Sequence, residues 1–148
     1  MYTYQHPRPA VSVDIVLFQK KNDEYQVLLI KRAQDPFRGS FALPGGFVEM
    51  KESQEQAAER ELREETGLQN IKLEQIHTFS DPNRDPRTRV ISTAYGAVIE
   101  NEGQIHPQAG SDAAEASWFN LSELPTLAFD HKLIIQISIV KLTLQVNF

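Results

Sequence analysis

The sequence predicts an α/β domain in which a mixed sheet is packed between helices. Two observations carry this: apolar and β-branched runs stand both before and after one well-capped helix near residues 53–66, and a second helical stretch follows from about residue 130. The chain has 148 residues, 41% hydrophobic and 24% charged, which suits one ordinary domain with a real core. Residues 1–148 are therefore read as a single domain.

Val11–Phe18 is rich in β-branched and apolar side chains and predicts a strand, although Asp14 sits unexplained in its middle. Residues 20–24 form a turn, and Tyr25–Ile30 predicts a second strand paired with the first as a hairpin. Residues 33–42, with Asp35-Pro36 and Gly39, read as a loop that leads into Leu43-Pro44-Gly45-Gly46. Ser53 with Gln56 three residues on makes a capping box, so a helix runs to about Thr66, and Gly67 fits the left-handed position beyond its end. Ile71–Phe79 and Arg89–Glu100 predict strands separated by a polar loop, and a second long loop, 101–114, precedes a short strand at 116–119. Asp130 is placed to cap a helix to about Lys141 whose Leu133, Ile137 and Val140 share a core-facing side. Leu142–Phe148 alternates with period two instead, as an edge strand would. Surplus aliphatic surface on the helix, or a free strand edge, leads to the same expectation, a homodimer.

Cysteine is absent, which excludes disulfides, thiolate metal sites and cysteine nucleophiles and fits a reducing compartment. No basic-then-apolar leader is visible at the N-terminus, and no apolar run reaches the ~20 residues of a membrane helix. A cytoplasmic protein with no membrane partner is expected. The net charge of −5 argues against a nucleic-acid partner. Seven acids and three bases fall between Glu49 and Glu65, so most of the imbalance is local.

On the helix, Glu61 lies three and four residues from Glu64 and Glu65, so all three carboxylates project over one side. Like charges at these spacings destabilise an isolated helix, and acids near its C-terminus oppose the macrodipole. Arg60 and Arg63 offset part of this, while Ala58 and Leu62 pack inward. Such a cluster is either a solvated face or a site awaiting a cation. Oxygen ligands without histidine or cysteine favour Mg²⁺ or Mn²⁺ over zinc, and water attacking an anhydride phosphorus is the chemistry that suits such a centre.

Gly46, Glu52 eight residues before Arg60, and the run Arg60-Glu61-Leu62-Arg63-Glu64-Glu65-Thr66-Gly67-Leu68 together resemble the Nudix box of the Nudix hydrolases. Pro7-Arg8-Pro9, Lys31-Arg32, Pro36–Gly39, Leu43–Glu49 and Arg84–Arg87 extend the resemblance to a bacterial branch. That branch holds ADP-ribose pyrophosphatases and the sensor domains of NAD-metabolism regulators.

The resemblance implies an α/β/α sandwich and a loop-helix-loop that binds Mg²⁺, or Mn²⁺. It implies Glu61, Glu64, Glu65 and the Gly45 carbonyl as metal ligands, Glu52 with Arg60 as a lock on the loop, and Gly46 and Gly67 as backbone positions. The general base is either Glu61 or an acid of the second long loop, Asp112 or Glu115. Arg84, Arg87 and Arg89, with Arg32 and Arg38, are candidates to read a pyrophosphate, since guanidinium forks match its oxygens. Pairing with Asp81 and Asp85 is the alternative. Phe37 and Tyr4 are candidate base platforms or ordinary packing, and His6, His77, His106 and His131 are read as structural or surface residues. The implied activity is Mg²⁺-dependent hydrolysis of a small nucleotide, ADP-ribose to AMP and ribose 5-phosphate. A nucleoside triphosphate pyrophosphatase and a non-catalytic nucleotide sensor are the alternatives.

Overall fold

The computed structural model describes residues 1–100, 106–110 and 113–144. Strands β1 (Ala10–Lys21) and β2 (Glu24–Arg32) form the hairpin, turned by Asn22 and Asp23 at φ 52° and 63°. Asn and Asp tolerate that left-handed backbone better than other side chains do. Then come β3 (Phe41–Ala42), β4 (Gly45–Phe47), α1 (Gln54–Thr66), β5 (Glu74–Phe79), β6 (Val90–Ile99), β7 (Ala113–Asn120), a single 3₁₀ turn and α2 (His131–Lys141). The sheet runs β3-β2-β1-β6-β5, with β4 also on β1 and β7 also on β2. The β1–β6 pair is parallel and the other named pairs are antiparallel, so the sheet is mixed.

Period-two alternation along β1 divides the core. Val13, Ile15 and Leu17 pack with Ala57, Ala58 and Leu62 of α1, whereas Val16 and Phe18 pack with Ile134, Ile135 and Ile139 of α2. The helices thus cover opposite faces of the sheet. Ser53 and Gln56 make the reciprocal capping box of α1, and Gly67 closes it at φ 76°. Among the described residues no helix is long and apolar enough to cross a membrane.

Three details differ from the sequence reading. The buried side of α2 is His131, Ile134, Ile135, Ser138 and Ile139, while Leu133 is 48% and Val140 77% exposed. Aliphatic residues at nearly every position fit more than one face, and Ser138 turns inward because its hydroxyl donates to the Ile134 carbonyl at 2.7 Å. Asp130 stands at the N-cap but makes no side-chain cap bond, its carboxylate being held by Arg84. The short β3 and β4 arise in the stretch read as loop and glycine turn, because neighbouring strands supply their pairing. The end of the alternating tail, 145–148, lies outside the described residues, as does Asp112.

One irregularity of the sheet positions the site. β1 pairs with β2 only through Phe18–Lys21, and with β4 through Ser12–Asp14. Between these, Ile15 N–H donates to the Pro44 carbonyl at 2.8 Å, while β2 diverges to pair with β7. A cleft lies where the strands part. On the far side, Gln108 N–H and Gly110 N–H donate to the Thr66 and Glu65 carbonyls at 2.7 and 3.0 Å, binding part of the second long loop to the open end of α1.

Candidate active site

The cleft has a volume of about 280 Å³ and is shared by β1, β2, the Leu43–Phe47 segment, the end of α1, residues 84–87 and the start of α2. Glu61 and Glu65 enter it from α1. Glu65 is buried, and its Oε2 accepts the Gly45 N–H at 3.1 Å. Glu61 lies directly against Gly46, where an added Cβ would collide with the carboxylate. Only glycine permits that approach.

Arg60 ties the preceding loop to this helix. It donates to both Glu52 oxygens at 2.9 and 2.6 Å, to Glu61 at 2.8 Å, to Glu64 at 3.2 Å and to the Phe47 carbonyl at 3.1 Å. The hydrogen bonds from Arg60 hold the Glu52 carboxyl at about 2, and the same contacts raise the guanidinium further. Burial pushes the Glu61 carboxyl up, against the pull of Arg60. Because the Glu52 carboxyl is depressed from 4.5 to about 2 on folding, its stabilisation is full above the unfolded value and disappears as pH falls toward 2. Glu52→Gln should therefore flatten the loss of thermal midpoint across that window. A variant with the wild-type acid slope would disprove the linkage.

The other candidates separate clearly. Arg32 and Arg87 reach the cleft: their guanidinium carbons lie 5.0 and 5.5 Å from the Phe129 ring centre, and Arg87 is also 5.1 Å from Phe47. Arg87 is oriented by a bidentate bond to Asp85 at 3.0 and 2.7 Å. Arg84 also borders the cleft, but it is buried and its fork binds Asp130 at 3.0 and 2.7 Å. Arg38 and Arg89 are exposed and do not line the cleft, and Glu115 is exposed on β7 opposite Lys31, also outside it. Glu64 is half-exposed on Arg60, beside the cleft rather than in it. Among the described residues no three acidic or histidine side chains converge as a ready-made metal cage.

Asp14 and Phe129 line the cleft without a role in the sequence reading. Asp14 alternates onto the α2 side of the sheet, where it accepts from Ser92 Oγ at 2.6 Å and meets His131 Nε2 at 3.3 Å and Arg84 at 3.6 Å. Burial alone would raise its carboxyl, yet His131, Ser92 and Arg84 hold it below the ordinary value. A charged residue inside an apolar strand was the available signal, but its partners are far apart in sequence. Phe37 and Phe129 meet edge-to-face at 4.8 Å with φ of 61° and 52°. Bulky residues in the left-handed region are uncommon and gather at functional sites.

A family model described as the NUDIX domain matches residues 8–136. The chain belongs to the Nudix family. It is 47% identical over 133 residues to an ADP-ribose pyrophosphatase of Methanocaldococcus jannaschii, covering 90% of this chain and 73% of that protein. It is 32% identical to the ADPR responsive transcriptional repressor NtrR of Acinetobacter baylyi, covering 93% of this chain but only 56% of the repressor. Among solved structures, a MutT/nudix family protein from Enterococcus faecalis superposes with a TM-score of 0.83 at 37% identity, covering 95% of this chain and 65% of that one. The NUDIX domain of Shewanella oneidensis NrtR, complexed with ADP ribose, gives 0.83 at 30% identity, covering 90% of this chain and 88% of that one. The carboxylate oxygens of Glu61 and Glu65 in this Nudix cleft are of a type that suits a hard divalent cation. Two carboxylates stand beside the glycine backbone of β4, and Mg²⁺ characteristically takes one or two carboxylates plus substrate phosphates rather than a full protein cage.

Proposed function

We propose that this Nudix hydrolase is a Mg²⁺-dependent pyrophosphohydrolase that cleaves ADP-ribose to AMP and ribose 5-phosphate. The observation that carries the reading is the pairing of Glu61 and Glu65 with the Gly45–Gly46 backbone inside a cleft whose other residues include Arg32 and Arg87. Similarity to the archaeal ADP-ribose pyrophosphatase supports the substrate. Glu61, Glu65 and the Gly45 carbonyl hold the metal, with Glu64 at the rim. When bound, the cation neutralises charge on the diphosphate and makes water easier to deprotonate.

Glu61 accepts the proton of the attacking water. It is chosen over Glu115 because it lines the cleft and Glu115 does not, and over Asp112, which lies outside the described residues, because its place beside Gly46 is known. The water oxygen bonds to one phosphorus of the anhydride, the bridging oxygen leaves with the other phosphate, and two phosphomonoesters result. Arg32 and Arg87 orient the diphosphate, and the bidentate Asp85 contact limits the freedom that Arg87 loses on binding. Arg60 and Glu52 hold the glycine loop against α1.

A panel of nucleotide sugars, dinucleotides and triphosphates assayed with Mg²⁺ tests the substrate. The highest kcat/KM is expected for ADP-ribose. Preferential release of pyrophosphate from a nucleoside triphosphate would favour the triphosphate alternative. Metal should also raise the thermal midpoint, since a cation relieves repulsion among the box carboxylates. Glu64→Ala should blunt that rise, and a midpoint unchanged across millimolar Mg²⁺ with and without substrate would count against the site.

A homodimer is proposed as well. Leu133 and Val140 face outward on α2, leaving aliphatic surface that a second copy would cover. Light scattering should give about twice the 16.8 kDa chain mass, and a single-chain mass at tens of micromolar would refute it.

A further inference from the structure

Asp14, Arg84 and His131 are buried ionisable residues from three separated segments, all bordering the cleft, and the hydrolysis proposed above uses none of them. Gathering charged groups out of water is costly, and apolar replacements of similar volume are often neutral or stabilising. α2 has anchors besides His131: Ile134, Ile135 and Ile139 bury its inner side, and Arg84 grips Asp130 ahead of its first turn.

What distinguishes His131 is its reach to the glycine loop. Its Nδ1 accepts the Leu43 N–H at 3.0 Å, which leaves the ring proton on Nε2, facing Asp14 Oδ1 at 3.3 Å. Leu43 opens the segment that continues through Pro44, tied to Ile15, and Gly45, tied to Glu65. Asp14 stands in register with Gly45, and a Cβ on Gly45 would lie 2.9 Å from its Oδ1. The network therefore borders the loop at Leu43 and again at Gly45.

We propose that His131, oriented by Asp14, is a positioning residue that fixes the Leu43–Gly46 backbone and so presents the Gly45 carbonyl to the metal. This rests on the metal site proposed above. Outer hydrogen bonds that orient metal ligands are commonly worth ten- to a hundredfold, roughly, in metal affinity.

The test is Mn²⁺ binding followed by electron paramagnetic resonance without substrate, alongside the folded state by circular dichroism. His131→Leu removes the acceptor for Leu43 N–H and should weaken Mn²⁺ binding by about tenfold or more. His131→Asn keeps an oxygen near the Nδ1 position and should recover most of that loss, a rescue that a purely packing role would not give. Wild-type affinity in folded His131→Leu, or equal loss in both variants, overturns the proposal. If His131→Leu does not fold, Asp14→Ala takes its place: it keeps the Leu43 bond but removes the acceptor that faces Nε2, so weaker Mn²⁺ binding is expected and wild-type binding overturns the proposal. Glu65→Gln is the control: if it too binds Mn²⁺ normally, the metal site is misplaced, whereas loss there with no loss in the His131 variants rejects the positioning role alone.

Discussion

Glu65→Gln should yield a folded protein whose ADP-ribose hydrolysis falls by at least ~10²-fold. Glutamine keeps the shape of the side chain and can still offer an oxygen to the Gly45 N–H, which now binds Glu65 Oε2 at 3.1 Å. What it removes is the negative charge that a divalent cation needs. Glu61→Gln should behave similarly, through the loss of both a ligand and the proton acceptor. Turnover near the wild-type rate in both variants at saturating Mg²⁺ would show that the metal is held elsewhere.

The adjacent glycines should respond to alanine in opposite ways. At Gly46 the new methyl would meet the Glu61 carboxylate, with Oε2 only 2.8 Å away, and that flexible end can swing aside. Gly46→Ala should therefore leave unfolding in urea close to wild type while lowering activity about tenfold or more and raising the Mg²⁺ needed for half-maximal rate. At Gly45 the methyl would meet the Val13 carbonyl oxygen in the backbone of β1, which cannot yield without disturbing the β1–β4 pairing. Gly45→Ala should destabilise the fold by about 1–3 kcal/mol. An unchanged Mg²⁺ requirement in Gly46→Ala would mean that the Glu61 position is irrelevant to catalysis.

The parts of the molecule that local chemistry determines were readable in advance. The bounds of α1 follow from Ser53, Gln56 and Gly67, all within hydrogen-bonding reach of the helix they close. The grouping of Glu61, Glu64 and Glu65 follows from helical spacing, although only Glu61 and Glu65 line the cleft while Glu64 stays beside it on Arg60. Tertiary pairing obscured the rest. Arg84 has Asp81 and Asp85 nearby in sequence, yet its guanidinium binds Asp130 while Asp85 takes Arg87. Asp14 and His131 meet only because β1 presents alternate residues to α2. The rotation of α2 was unreadable for a different reason: a helix rich in aliphatics at most positions has several apolar faces, and packing selects one.

The cleft is proposed to hydrolyse the diphosphate of ADP-ribose with a divalent cation. Phosphorus NMR of ADP-ribose incubated with the purified protein tests it most directly, with Mg²⁺ in one sample and a chelator in the other. The diphosphate resonances should give way, with Mg²⁺ only, to two phosphomonoester resonances of equal intensity, those of AMP and ribose 5-phosphate. An intact diphosphate in the presence of Mg²⁺, or equal cleavage with the chelator, would contradict it.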